Sequence, residues 1–292
     1  MATQTTQLNL PLTASTEPLE QYFFYVTFGL TQEQVDRQFA IAKEFFSLPE
    51  GESRSFRAPL EEVIYNGYRA LGSIEILPGL RDNIEFYNIM KFLPQYERTH
   101  PDAIWRHWAE IERFLRHVHE HIAYRLLPLV AIILEIPKTN SKGATCMIPT
   151  AKAACDTCAT VRAPLTRTRT TRASIHEVTQ TTVPLHLSSS SPVAGLQVKK
   201  YDDSEWEYLR IPPGTIAVNI ADLLSILSNG YLKSGVHRVI TPPEDQQHLD
   251  RMGVLYFVRP SDRLNLRTVD SPLFAKAGLL QRGDQRDQHP CA

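Results

Sequence analysis

Cysteine, histidine and arginine are the residue types in this chain that could do metal, redox or anion chemistry, and their spacing limits each. Cys155, Asp156, Thr157 and Cys158 form a C-x-x-C. No second pair completes a zinc site, and the flanks give no thioredoxin-like setting for a dithiol. His117, Glu120 and His121 carry the H-x-x-E-H spacing, which on a helix could set two imidazoles around a zinc ion for hydrolysis. Val118 falls on an apolar stripe, however, so its neighbours point to solvent and the histidines read as a surface cluster. The arginine-rich run from Arg162 to Arg172 has no aromatic residues interleaved, so nucleic acid is not an expected partner.

The elements that must position any site change character along the chain. Residues 23–29 read as a strand ending at Gly29. Thr31 starts a helix, with Gln34 placed to close a capping box. Val35, Phe39, Ala42 and Phe46 recur at helical spacing until Pro49. A strand is expected from Ile84 to Phe92. A long helix follows Asp102, striped by Ile104, Trp108, Ile111, Leu115, Val118 and Ile122, with Pro128 expected to kink or end it. After that, short strands are expected at 194–198, 206–211, 215–220, 237–241 and 253–258, separated by turn signals such as Pro212-Pro213-Gly214. Helices first and strands later give an α+β chain with a β-sandwich or barrel in its second half.

Composition excludes several classes. The 292 residues carry 31 Lys plus Arg against 32 Asp plus Glu, a net charge of -1, which does not suit a polycationic nucleic-acid binder. Hydrophobic residues make up 42% and aromatic residues 9%, as in a globular protein with a real core. Four cysteines are too few for a disulfide-built fold. The first twenty residues lack the features of a secretory signal, and the longest apolar run, Leu126 to Ile136, is about half a bilayer span. A cytoplasmic protein with no membrane partner is expected.

One segment breaks every trend. Residues 143–191 hold 11 Thr, 5 Ser and three of the four cysteines, and no Phe, Trp or Tyr. They lie where a β-domain should have its first core strands, and a structureless loop of that length is unusual inside a compact domain.

The C-terminal third carries a family likeness. NGYLKSGVHRVITPPEDQQHLDRMGVLYFVRP (229–260) resembles the end of the double-stranded β-helix in the isopenicillin N synthase-like group of iron(II)/2-oxoglutarate-dependent dioxygenases, and most closely its fungal members. PVAGLQV (192–198) and IPPGTIAVNIADLLSILSNG (211–230) are similar to its preceding strands, and residues 23–27 and 66–87 to its N-terminal region. The resemblance implies one domain over 1–292, with N-terminal helices around a jelly-roll core. Residues 1–22 would be a lead-in, 143–191 an aberrant insert and 192–275 the second half of the jelly roll. It implies Fe(II) and 2-oxoglutarate as cofactors and a small-molecule substrate, plausible work for secondary metabolism; nothing in the sequence bears on oligomeric state. It makes His237 the distal histidine of a facial two-His-one-carboxylate triad. It makes Arg251, fourteen positions on, the clamp on the far carboxylate of 2-oxoglutarate, a bidentate task that lysine could not reproduce. Gly253 stands where many relatives have a serine that shares this contact.

The other two ligands come in the family as His-x-Asp upstream of the distal histidine, and nothing in frame fits. His100-Pro101-Asp102 sits at a helix start, and His248-Leu249-Asp250 is a turn on the wrong side of His237. Shifted by two bases, degenerate codons for residues 176–191 permit R-G-H-T-D-N-G-T-I-T-F-I-F-Q-Q, the peptide that the resemblance demands before PVAGLQV. The expectation is therefore that residues from about 140 to 191 are read out of frame. The chain would lack two of three iron ligands and would be inactive or poorly folded, with Thr/Ser/Arg-rich sequence in place of core strands. Unpaired ladder groups would cost roughly 1–3 kcal/mol each when buried. The alternative is a non-catalytic, carboxylate-binding scaffold.

Overall fold

In the computed structural model, the described residues are 23–27, 29–62, 64–73, 75–82, 84–90, 92–136, 156–164, 185–188, 193–199, 205–240, 242–249, 251–259 and 267–279. Strand β1 (Phe23–Thr27) leads into helix α1 (Gln32–Phe46). The capping box forms as expected: Thr31 Oγ1 accepts from the Gln34 N–H at 3.2 Å, and Gln34 Oε1 accepts from the Thr31 N–H at 2.9 Å. The buried face of α1 is Val35, Gln38, Ile41, Ala42 and Phe45, so it is turned from the expected stripe; Phe45 fills the core and Phe46 packs beside it.

Helix α2 (Glu50–Ser55) precedes the short strands β2 (Gly67–Arg69), β3 (Glu75–Leu77) and β4 (Leu80–Arg81), and then β5 (Ile84–Ile89). The expected long helix is present in pieces: α3 (Asp102–Trp105), α4 (Trp108–Val118), a π turn (His119–Ala123) and α5 (Tyr124–Ile133). Pro128 lies inside α5 and does not end it. A proline inside a helix removes one helical hydrogen bond and crowds the preceding turn, and a π turn lies just upstream.

The remaining strands are β6 (Asp156–Pro164), β7 (Leu185–Ser188), β8 (Leu196–Lys199), β9 (Trp206–Tyr208), β10 (Thr215–Ile220), β11 (Val236–Val239) and β12 (Gly253–Arg259). Helix α6 (Asp222–Leu227), which the sequence reading did not anticipate, follows β10, and α7 (Pro272–Lys276) follows β12. Seven strands form one antiparallel sheet in the order β1-β10-β7-β12-β6-β5-β2; β11-β8-β9 form a second, and β3-β4 a hairpin. Among the described residues β11 is an edge strand of the second sheet.

The anomalous segment supplies β6 and β7. Thr160 of β6 pairs with Leu255 on one side and Asn88 on the other, and His186 of β7 pairs with Asn219 and Phe257. On these stretches the expected loss of ladder partners does not occur. A ladder is built from backbone groups, and Thr, Val and Ala are compatible with it. The run from Thr166 to Ser174 and the residues around His176 lie outside the described residues, as do the lead-in at 1–22 and Cys146, Cys155 and Cys291.

Strand alternation divides the large sheet into two faces. Val26, Tyr87, Ile216, Val218, Val254, Tyr256 and Val258 join the helical core with Phe45, Ile104, Leu115 and Leu127. The opposite face carries Phe23 and Asn219, directly paired in register, and meets the second sheet at His237.

Candidate active site

His237 lies in β11 and is 6% exposed. Its ring is packed edge-on by Phe23, with centroids 5.9 Å apart at 89°. Its Nδ1 is 3.1 Å from the Gly235 carbonyl oxygen and 3.4 Å from the Asn219 side-chain amide. Asn219, 3% exposed, comes from β10, so the two sheets meet here across a polar contact. Gly235 makes the approach possible: a Cβ there would stand 2.1 Å from Asn219 Oδ1 and 2.6 Å from Phe23 Cε2. Neither Asn219 nor Gly235 was singled out from the sequence, since Asn219 looks like an ordinary strand residue before Ile220-Ala221-Asp222.

Arg251 lies two residues before β12 and is half-buried, with Nε buried. It lies against Gly195, where a Cβ would be 3.1 Å from Arg251 Cδ and 3.0 Å from the Ile240 carbonyl oxygen. Ile240 N–H donates to the Gly195 carbonyl at 2.8 Å. The start of β8, the end of β11 and the start of β12 therefore converge on the arginine. Gly253, two residues on, is the first residue of β12.

The alternatives raised by the sequence fare differently. His100 is packed in the core. Its Nδ1 shares a 2.6 Å hydrogen bond with the Tyr87 hydroxyl and its ring lies tilted against Trp108 with centroids 4.3 Å apart. Burial, with Arg98 nearby, pushes its pKa down to about 4. With Asp102 in the first turn of α3, the His100-Pro101-Asp102 triplet is a structural corner. His248 is exposed. His117 and His121 do face each other, with ring centroids 4.4 Å apart, and both line a cavity of about 560 Å³ beside Val26 and Leu126. Glu120 is exposed. His119 shares a 2.7 Å hydrogen bond with the Tyr256 hydroxyl, a link that the reading of this run as a surface cluster missed. Among the described residues, no group of three or more His, Cys, Asp or Glu side chains is placed to hold a metal ion.

The fit to an iron and 2-oxoglutarate site is thus partial. Arg251 has the chemistry for the distant carboxylate, and His237 for one metal ligand. No second or third protein ligand joins His237 among the described residues.

Residues 165–260 match the 2OG-Fe(II) oxygenase superfamily. A 2-oxoglutarate-dependent dioxygenase of Aspergillus fumigatus is 36% identical over 89 residues, 29% of this chain and 23% of that protein. One from Didymella fabae is 26% identical over 277 residues, 85% of this chain and 78% of that protein. The stronger sequence matches therefore span only about a quarter of their proteins' length, 23–24%. Among solved structures, a Neurospora crassa protein in complex with alpha-KG superposes with a TM-score of 0.69 at 18% identity, covering 91% of this chain and 82% of that one. A 2OG-Fe(II) oxygenase family protein from Caulobacter crescentus gives 0.66 at 21%, covering 86% and 81%. The chain shares the fold of these oxygenases, a jelly roll, and its residues 165–260 are similar to the 2OG-Fe(II) oxygenase superfamily, with fungal dioxygenases among the proteins it resembles. No helix among the described residues is long and apolar enough to cross a membrane.

Proposed function

We propose that the gene encodes an Fe(II)- and 2-oxoglutarate-dependent dioxygenase acting on a small organic substrate in secondary metabolism. We further propose that this polypeptide, read out of frame from about residue 140 to 191, does not catalyse that oxidation. One contrast carries the proposal. The residues proposed for the distal half of the site, His237 and Arg251, lie in β11 and two residues before β12, beside Gly235 and Gly195. The sequence offers no His-x-Asp pair in the place where the family keeps one. The names of the fungal relatives, 2-oxoglutarate-dependent dioxygenases, support the reaction class.

The test has two arms. Purified protein of this sequence, given Fe(II), 2-oxoglutarate and a panel of small organic substrates, is expected to release no succinate above background; metal-dependent succinate formation would overturn the inactive reading. A transcript read across codons 135–195 is expected to restore His-x-Asp. A stop codon in the alternative frame of the genomic DNA would end the frame argument.

The arrangement of Gly195 against Arg251 favours a second reading for the polypeptide itself, a carboxylate-binding scaffold without turnover. Calorimetry without metal is then expected to show saturable 2-oxoglutarate binding. Arg251→Lys is expected to weaken it at least tenfold, because the ammonium cannot match the carboxylate's two oxygens. Equal affinity of the two proteins would remove this reading.

A further inference from the structure

We infer that the cavity between the end of β1 and the helices α4 and α5 is a second ligand site, built for a small organic acid with an apolar body and one anionic head. It lies apart from His237 and Arg251. Val26, which lines the cavity, sits three residues along β1 from Phe23, so the two point to opposite faces of the large sheet. Phe23 is the one that packs on His237.

The two halves of the lining ask for such a ligand. The floor is apolar: Val26, Ile122 and Leu126 are all buried. They offer a bound molecule dispersion contacts and nothing to hydrogen-bond. The mouth is basic. His117, His121 and Arg125 follow one another at intervals of four, which places them on one side of the helical run, and all three line the cavity. The two imidazoles face each other with ring centroids 4.4 Å apart. His121 and Arg125 are exposed, and His117 is half-buried.

Charge and size narrow the ligand. No Asp or Glu is among the lining residues, and among the described residues no carboxylate pairs with Arg125. Its fixed positive charge therefore turns away metal ions and organic cations and attracts an anion. An imidazole donates through an N–H in either neutral tautomer, and the guanidinium adds its fork, so the mouth suits a carboxylate head. The volume of about 560 Å³ is that of an ordinary small-molecule pocket, enough for a bicyclic ring or a short chain on the floor. A short dicarboxylate such as 2-oxoglutarate has no apolar body to fill it, so this site and the Arg251 recess select different acids.

The test uses the full chain, calorimetry without metal, and 2-naphthoate as the probe. Saturable one-to-one binding is expected, undiminished by excess 2-oxoglutarate. The neutral analogue 2-naphthalenemethanol is expected to bind about fivefold more weakly or worse, because it forfeits the charge-assisted hydrogen bonds. Arg125→Gln, at an exposed position, is expected to weaken naphthoate by a similar factor, and adding His121→Gln to weaken it further. Leu129→Trp, which fills the cavity from its wall, is expected to abolish binding of both probes. Naphthoate binding that does not saturate up to the solubility limit would overturn the inference. Equal affinity for the acid and the alcohol would do the same, since it would show an apolar hollow with no recognition of the anion. So would unchanged affinity in an Arg125→Gln or Leu129→Trp protein that melts as the wild type does. A chain that sediments with phosphatidylglycerol vesicles and leaves free naphthoate unbound would put a lipid surface in place of the small acid, and would also overturn it.

Discussion

Gly195 and Arg251 fit together with no room for a side chain between them. The glycine has φ +150, and a Cβ there would lie 3.1 Å from Arg251 Cδ and 3.4 Å from Nε. The backbone of one sheet is thus the wall that aims a guanidinium carried by the start of a strand in the other.

Gly195→Ala is expected to do two things. An L-residue at that φ is strained by about 1–3 kcal/mol, and the methyl displaces the arginine. 2-Oxoglutarate affinity measured by calorimetry should fall about tenfold or more, which corresponds to roughly 1.4 kcal/mol. A folded Gly195→Ala protein with unchanged affinity would show that Arg251 does not hold the ligand.

His100 gives the fold a pH dependence. Its pKa is about 4 in the folded protein against 6.5 for the ordinary side chain, because burial first, and Arg98 second, disfavour the charged ring. The depressed value means that the unfolded chain binds the extra proton more readily. Its contribution is therefore fully present above about pH 6.5, is lost as the pH falls towards about 4, and changes no further below that. The size is about 3 kcal/mol over that window. Urea melts at pH 7 and pH 4.5 should show the loss in wild type and a flatter profile in His100→Gln. Identical slopes would mean that the ring takes up its proton without cost.

Arg69 and Asp82 form an ion pair whose side chains are 8% and 3% exposed, with the guanidinium also over the Phe86 ring. Asp82→Ala takes the carboxylate from a buried guanidinium and should cost about 3–5 kcal/mol in chemical denaturation, a large part of a stability of about 5–15 kcal/mol. A loss below about 1 kcal/mol would show that Arg69 reaches solvent or other acceptors readily.

The helices and the later strands were legible because they rest on local signals. Thr31 and Gln34 announce the start of α1, and the period-two pattern of Thr215 to Ile220 announces β10. What failed was set by tertiary context. The choice of Phe45 over Phe46 for the core depends on Tyr68 and Tyr87, which pack on Phe45 from β2 and β5. The passage of α5 through Pro128 and the π turn before it are marked by no sequence period. In the site, His237 and Arg251 were found through their flanking motifs. Asn219 and Gly235 matter only because two sheets meet at that point, and neither residue type declares such a meeting in advance.

The ladders that take β6 and β7 into the large sheet have a consequence for classification. Pairing reads N–H and C=O groups, which every non-proline residue supplies, so strands of unrelated composition can occupy the same slots. Shape and chemistry are then inherited separately. A superposition that scores backbone paths will group this chain with oxygenases whether or not it turns over, and an inventory of ligands will set it apart. A frame built this way keeps its backbone path while the side chains it carries are free to vary.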